Sequence, residues 1–133
     1  MVRVIMHGCN GRMGQVITEM IAKEAEMEIV AGVDVSDSVH NTYPVFKTLK
    51  DCDVEADVVI DFANAKAVDG LLDVCVERNL PCVLCTTGLS EEQLAHVKEA
   101  SGKVAILRSA NMSMGINLLM KLLKDAVPVL AAA

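Results

Sequence analysis

Residues 2–14, Val2-Arg3-Val4-Ile5-Met6-His7-Gly8-Cys9-Asn10-Gly11-Arg12-Met13-Gly14, decide how the rest of the chain is read. Val2 to Met6 is an apolar, β-branched run and predicts a strand. Met13, Val16, Ile17, Met20 and Ile21 then recur at helical spacing, which predicts a helix from about Arg12 to Glu24. Between them lies a turn with glycine at 8, 11 and 14. A strand, a glycine turn and a helix in that order leave free amides at a helix amino terminus, where an anion such as a dinucleotide pyrophosphate is held. The spacing is G-x-x-G-x-x-G, not the commoner G-x-G-x-x-G. Three glycines can also simply make a tight turn, and it is the strand-turn-helix setting that favours the phosphate reading.

Outward from this unit the alternation continues. Glu28 to Asp34 reads as a second strand, residues 35–42 as a polar loop, and Pro44 to Phe46 as a short third strand. Asp57 to Asp61 is a fourth strand, and Val68, Leu71, Leu72, Cys75 and Val76 mark the next helix. Pro81 to Cys85 is a fifth strand. Ser90 opens a helix, with Gln93 in capping-box position. Val104 to Leu107 is a sixth strand. A last helix carries Leu118, Leu119, Leu122, Leu123 and Ala126 on one face, and Pro128 ends or kinks it. Apolar strands alternating with helices predict an α/β fold: a doubly wound, Rossmann-like parallel sheet with helices on both faces. Residues 1–133 form one domain, with six strands of which the third is weak.

Composition narrows the function. Hydrophobic residues make up 53% and aromatics 2%, so the core is aliphatic. A net charge of −6 with a pI near 4.9 speaks against nucleic acid and anionic membrane partners. No apolar run reaches membrane-spanning length, and the amino terminus does not read as a signal peptide, so a cytoplasmic location is expected. Five cysteines at irregular spacing are no disulfide framework. Cys82 and Cys85 spell C-x-x-C, but on a strand they face opposite ways and read as core thiols. His7 reads as structural, His40 as a loop residue and His96 as exposed, and no cluster has metal-ligand spacing.

Asp34 follows Gly14 by 20 residues at the end of the second strand, the place of the acid that binds adenosine ribose hydroxyls. The competing reading is a strand-end carboxylate facing water. Val35, Ser36 and Asp37 offer no cation for a ribose 2′-phosphate, so NADH is the expected cofactor over NADPH, which Arg12 could still help. Thr86-Thr87-Gly88 and Asn111-Met112-Ser113 lie at strand carboxyl ends, where open α/β sheets bind ligands, although each alone is an ordinary polar turn. Asp61 either caps the helix starting near Ala65 or serves the site.

Four segments in order, GCNGRMG (residues 8–14), VVIDF (58–62), CTTGLSEEQ (85–93) and RSANMSMGINLLMKLL (108–123), resemble the dihydrodipicolinate reductase family over nearly the whole chain. The resemblance implies that Gly8, Cys9, Asn10, Gly11, Arg12 and Met13 meet the pyrophosphate and Asp34 the adenosine ribose. It implies that Cys85, Thr86, Thr87, Ser109, Ala110, Asn111 and Met112 line the nicotinamide end, with Thr87 also meeting a substrate carboxylate. Cys85 stands where relatives often have glycine, and a basic residue after the ribose acid is missing. The family's E-x-H-H-x-x-K-x-D-x-P-S-G-T segment, which supplies catalytic His and Lys, is not found in this sequence. The expectation is a cofactor-binding domain with no catalytic residue of its own, lacking the second domain that binds the cyclic imine dicarboxylate and builds the family's homo-tetramer. Other readings are a dehydrogenase acting on aspartate or homoserine, or a non-catalytic nucleotide-sensing module.

Overall fold

The computed structural model describes residues 1–36 and 40–108. Among these, the elements run in the order β1 (Val2–His7), α1 (Arg12–Ala22), β2 (Met27–Val33), β3 (Val45–Phe46), β4 (Val58–Asp61), α2 (Val68–Arg78), β5 (Cys82–Leu84), α3 (Glu91–Ser101) and β6 (Ile106–Arg108), so strands and helices alternate except from β2 to β4. A one-turn 3-10 helix, Ala65–Ala67, leads into α2. The six strands form one sheet in the order β3-β2-β1-β4-β5-β6, and every neighbouring pair is parallel. The chain runs outward from β1 to β3, then returns to the other side of β1 at β4. That reversal opens a crevice at the carboxyl ends of β1 and β4.

Side-chain alternation along the strands builds two aliphatic layers. Val4 and Met6 of β1 face α1 and bury Ile17 and Ile21, together with Val58, Ile60 and Val83. Ile5 faces the other way, onto Leu71, Leu72 and Cys75 of α2, with Val97 and Ala100 of α3 completing that layer. Complete burial of such a side chain stabilises by roughly 1.5–3 kcal/mol, so the two layers, rather than polar contacts, hold the sheet between its helices. The same alternation separates Cys82, in the α2/α3 layer, from Cys85, in the α1 layer, and all five cysteines are free and buried. Burial pushes the Cys85 thiol up to about 12, with the Asp61 charge adding to it. Burial, then the Asp34 charge, pushes Cys9 up to about 11. These two sulfurs stay protonated and unreactive near neutral pH.

The third strand is as short as its sequence suggested, pairing only Gly32 with Val45 and Val33 with Phe46. Pro44 just before it contributes a carbonyl, accepting from Gly32 N at 2.9 Å, but has no amide to donate. The α1 helix stops at Ala22 rather than Glu24, because Lys23 and Glu24 donate to the carbonyls of Met20 and Ile21, closing a tighter final turn. Ser90 caps α3 as expected: its hydroxyl accepts from Gln93 N at 3.1 Å, and Gln93 Oε1 accepts from Ser90 N at 3.0 Å. The last predicted helix lies outside the described residues. Among the described residues, no helix is long and apolar enough to cross a membrane.

The reading of His96 as a plain exposed residue needs correction. Its side chain is only 26% exposed and bridges two acids of α2, Nδ1 lying 2.7 Å from Asp69 and Nε2 3.0 Å from Asp73. The hydrogen bond to Asp69, reinforced by the Asp73 charge, raises the imidazole above its ordinary value. Sequence spacing on α3 alone could not show this, because both acids come from the neighbouring helix.

Candidate functional site

The glycine turn is shaped by what surrounds it. Gly8 has φ +86° and donates to Val33 O at 2.7 Å. A Cβ on Gly8 would stand 2.6 Å from the Phe62 carbonyl oxygen, and one on Gly14 would stand 2.1 Å from Gly8 O. The first lets β1 and the end of β4 approach, and the second lets the first turn of α1 rest on the loop. Gly11 differs: a Cβ there would meet only Gly8 O, at 3.5 Å. Protein packing therefore does not require glycine at 11. Gly11 is the N-cap of α1 without any side-chain cap, and the first helical bond runs from Gln15 N to Gly11 O at 3.0 Å. The amides of Arg12, Met13 and Gly14 precede that bond at the positive end of the helix.

Asp34 closes the opposite wall. Its Oδ2 accepts from Asn10 N at 2.9 Å and its Oδ1 from Ser36 N at 2.9 Å. Asn10 adds to this wall: its side-chain amide donates to Ser36 O, and its Oδ1 accepts from Asn41 Nδ2 at 2.7 Å. The carboxylate is thus held against the glycine turn while remaining partly exposed. Lys47 lines the same hollow, because β3 lies beside β2 and Asp34 N donates to Phe46 O at 2.9 Å. Sequence spacing does not mark Lys47. Its place follows only once β3 is known to border β2.

Below the crevice lies a polar knot in an otherwise apolar layer. His7 pairs in register with Val33 on one side and Asp61 on the other, and Asp61 pairs with Leu84. Two residues beyond Leu84, Thr86 Oγ1 donates to Asp61 Oδ2 at 2.6 Å, while His7 Nδ1 lies 2.7 Å from Asp61 Oδ1. Ala63 N also donates to Oδ1, at 3.2 Å. Asp61 is fully buried, and His7 and Thr86 are each 5% exposed. Asp61 therefore does not cap the helix that follows. The N-cap position there is Asn64, which makes no side-chain cap.

The expected site residues separate into groups. Gly8, Asn10, Gly11 and Asp34 line one crevice of about 280 Å³, with His7 at its floor. Cys9 is buried behind the turn, its Sγ lying 3.5 Å from Asn10 Oδ1, and Arg12 and Met13 start α1. Cys85 and Thr86 are buried, and Thr87 is exposed. Ser109, Ala110, Asn111 and Met112 lie outside the described residues. A second hollow of about 690 Å³ adjoins the first, sharing His7 and Lys47 with it and adding Lys50, Lys66, Asp73 and Glu77. Chemically, the first crevice offers helix-start amides to an anion and an ionised acceptor to neutral hydroxyls.

Comparison with known proteins agrees with this geometry. The family described as "Dihydrodipicolinate reductase, N-terminus" matches residues 2–112. A 4-hydroxy-tetrahydrodipicolinate reductase of Caldanaerobacter subterraneus subsp. tengcongensis is 48% identical over 130 residues, covering 98% of this chain and 51% of the relative. The dipicolinate-bound dihydrodipicolinate reductase of Paenisporosarcina sp. TG-14 superposes with a TM-score of 0.74 at 27% identity, over 95% of this chain and 53% of that one. The scyllo-inositol dehydrogenase of Lactobacillus casei, solved with NAD(H) and scyllo-inositol, shares the fold with a TM-score of 0.70 at 14% identity, over 94% of this chain and 41% of that one. The chain thus spans about half the length of the curated relatives it matches. By sequence match and by fold, it belongs to the dihydrodipicolinate reductase family, within that family's amino-terminal part.

Proposed function

We propose that residues 1–133 are the NAD(P)H-binding part of a 4-hydroxy-tetrahydrodipicolinate reductase, which passes hydride from nicotinamide to a cyclic imine dicarboxylate on the route to diaminopimelate and lysine. The observation that carries the reading is the glycine turn. Gly8 and Gly14 are demanded by backbone packing, whereas Gly11 has room for a side chain and nonetheless carries none. A ligand approaching the start of α1 accounts for that, and a pyrophosphate is the ligand that three helix-start amides suit. When bound, the nicotinamide supplies the hydride. The chain's own residues position it. Gly8 to Met13 would hold the pyrophosphate through backbone amides. Asp34 would accept from the adenosine ribose hydroxyls. Cys85, Thr86, Thr87 and Ser109 to Met112 would line the nicotinamide end, Thr87 also meeting a substrate carboxylate.

NADH is preferred over NADPH in this reading. Asp34 presents negative charge where a 2′-phosphate would sit. Lys47, which lines the crevice, and Arg12, at the start of α1, are cations that reduce this preference without reversing it. Titration calorimetry with both dinucleotides should give the tighter value for NADH, and tighter NADPH would overturn the preference. None of residues 1–133 serves as proton donor to the imine, so this chain alone should bind cofactor without turnover. An absorbance assay with NADH and freshly made substrate checks this, and rates near those of an intact reductase would contradict it. The homo-tetramer belongs to the full-length members of the family and not to residues 1–133 alone, and a cytoplasmic location is part of the same proposal.

A further inference from the structure

His7 has a second ring nitrogen that the polar knot does not use. Nδ1 is taken up by Asp61, and no protein group among the described residues bonds Nε2. Among the described residues, every buried side-chain nitrogen or oxygen fully shut from solvent has a partner. Nε2, which has none, therefore opens outward, and the hollows that His7 lines are the crevice beside Gly8 and Gly11 and its neighbour. A side chain only 6% exposed thus presents one polar atom to these adjoining hollows, the first of which is where the dinucleotide reading puts a pyrophosphate.

Asp61 accepts from Thr86 and Ala63, which makes it the acceptor for His7 as well, so Nδ1 carries a hydrogen. In the neutral ring Nε2 is then an acceptor. A phosphate oxygen is also an acceptor, and the two are mismatched unless Nε2 gains a proton. An imidazolium between the Asp61 carboxylate and a pyrophosphate is matched on both sides. The other charged groups lining the two hollows, Asp34, Asp73 and Glu77 against Lys47, Lys50 and Lys66, offset one another. The arriving phosphates therefore decide the balance.

We propose that His7 couples dinucleotide binding to proton uptake: held through Nδ1 by Asp61, it takes a proton from solvent onto Nε2 as the pyrophosphate enters the crevice. This inference rests on the cofactor reading above and adds to it a residue and a pH dependence. Affinity for NADH should rise as pH falls toward the range in which imidazoles protonate.

The test is calorimetry of this chain with NADH near neutral pH, in buffers of different ionisation enthalpy. Net uptake of a fraction of a proton is expected. It should persist in His40→Gln and His96→Gln and vanish in His7→Gln, which should bind NADH about fivefold more weakly, as a neutral donor replaces a charged one. Histidine ring nitrogen NMR of the unaltered chain supplies a readout that needs no variant. One ring should pass from singly to doubly protonated when NADH is added. NADH binding without proton uptake, or equal uptake in His7→Gln, overturns the role of His7 and leaves the cofactor reading standing. Failure of the unaltered chain to bind NADH overturns both.

Discussion

Gly14 and Gly70 are both helical glycines, and their surroundings give them opposite expectations. A Cβ on Gly14 would lie 2.1 Å from Gly8 O and 2.7 Å from Cys9 Cα, both backbone atoms that cannot move aside cheaply. A Cβ on Gly70, in α2, meets nothing within 4 Å. Gly14→Ala should therefore lose about 3 kcal/mol or more and disrupt the turn. Gly70→Ala should gain about 0.5–1 kcal/mol by restricting the unfolded chain and favouring helix. Urea unfolding of the two variants measures both. At this scale the sequence was uneven. Gly8, Gly11 and Gly14 mark a tight turn between a strand and a helix, yet only the packing separates the two that the backbone requires from the one it does not. His7 and Asp61 looked like ordinary strand-end residues, because their pairing depends on β1 and β4 being neighbours 54 positions apart. Lys47 escaped notice for the same reason, its relation to Asp34 being set by the β2–β3 register.

Elements are held by their ends and by contacts between neighbouring helices. The α3 helix starts with a complete capping box, so Ser90→Ala should cost about 1 kcal/mol, readable in thermal or urea unfolding. The same helix is tied to α2 through His96, whose folded-state imidazole is raised by Asp69 first and Asp73 next. A raised folded value means that the charged pair stabilises fully below the unfolded histidine value and is lost as pH climbs through the folded one. His96→Gln should therefore lower Tm by about 2 °C near pH 6 and by less near pH 8, as befits a partly exposed pair. An equal loss at both pH values would show that the imidazolium is not what ties the helices. The capping box was legible because it is local, four residues read in a row. The His96 bridge was not, because it joins two helices whose mutual packing no periodicity announces. The short β3 was legible as a weak run, whereas nothing local in the helix-free connection from Lys47 to Asp57 shows that Leu49 and Cys52 tuck into the core.

The whole molecule follows from its first unit. One strand, one glycine turn and one amphipathic helix imply a parallel neighbour. Strand-helix units recur from β4 to β6, while β2, β3 and β4 follow one another with no helix among the described residues between them. The return of the chain to the other side of β1 gives the reversal between β1 and β4. Fold class was therefore fully legible, since apolar strands alternating with helices admit few other solutions. The candidate site was legible where a motif marks it: Thr86 stood out in its turn and Asp61 at its strand end, but the hydrogen bonds that join them to His7 depend on strand order and were not legible. Everything proposed about function depends on the crevice at that reversal holding a nicotinamide dinucleotide. The most direct measurement is titration calorimetry of NADH into this chain and its Asp34→Ala variant, with circular dichroism to show that both are folded. The account predicts one NADH per chain and a ten- to hundredfold weaker value for Asp34→Ala, about 1.5–3 kcal/mol for a hydrogen bond to a charged acceptor. No binding by the unaltered chain, or undiminished binding by the variant, would contradict it.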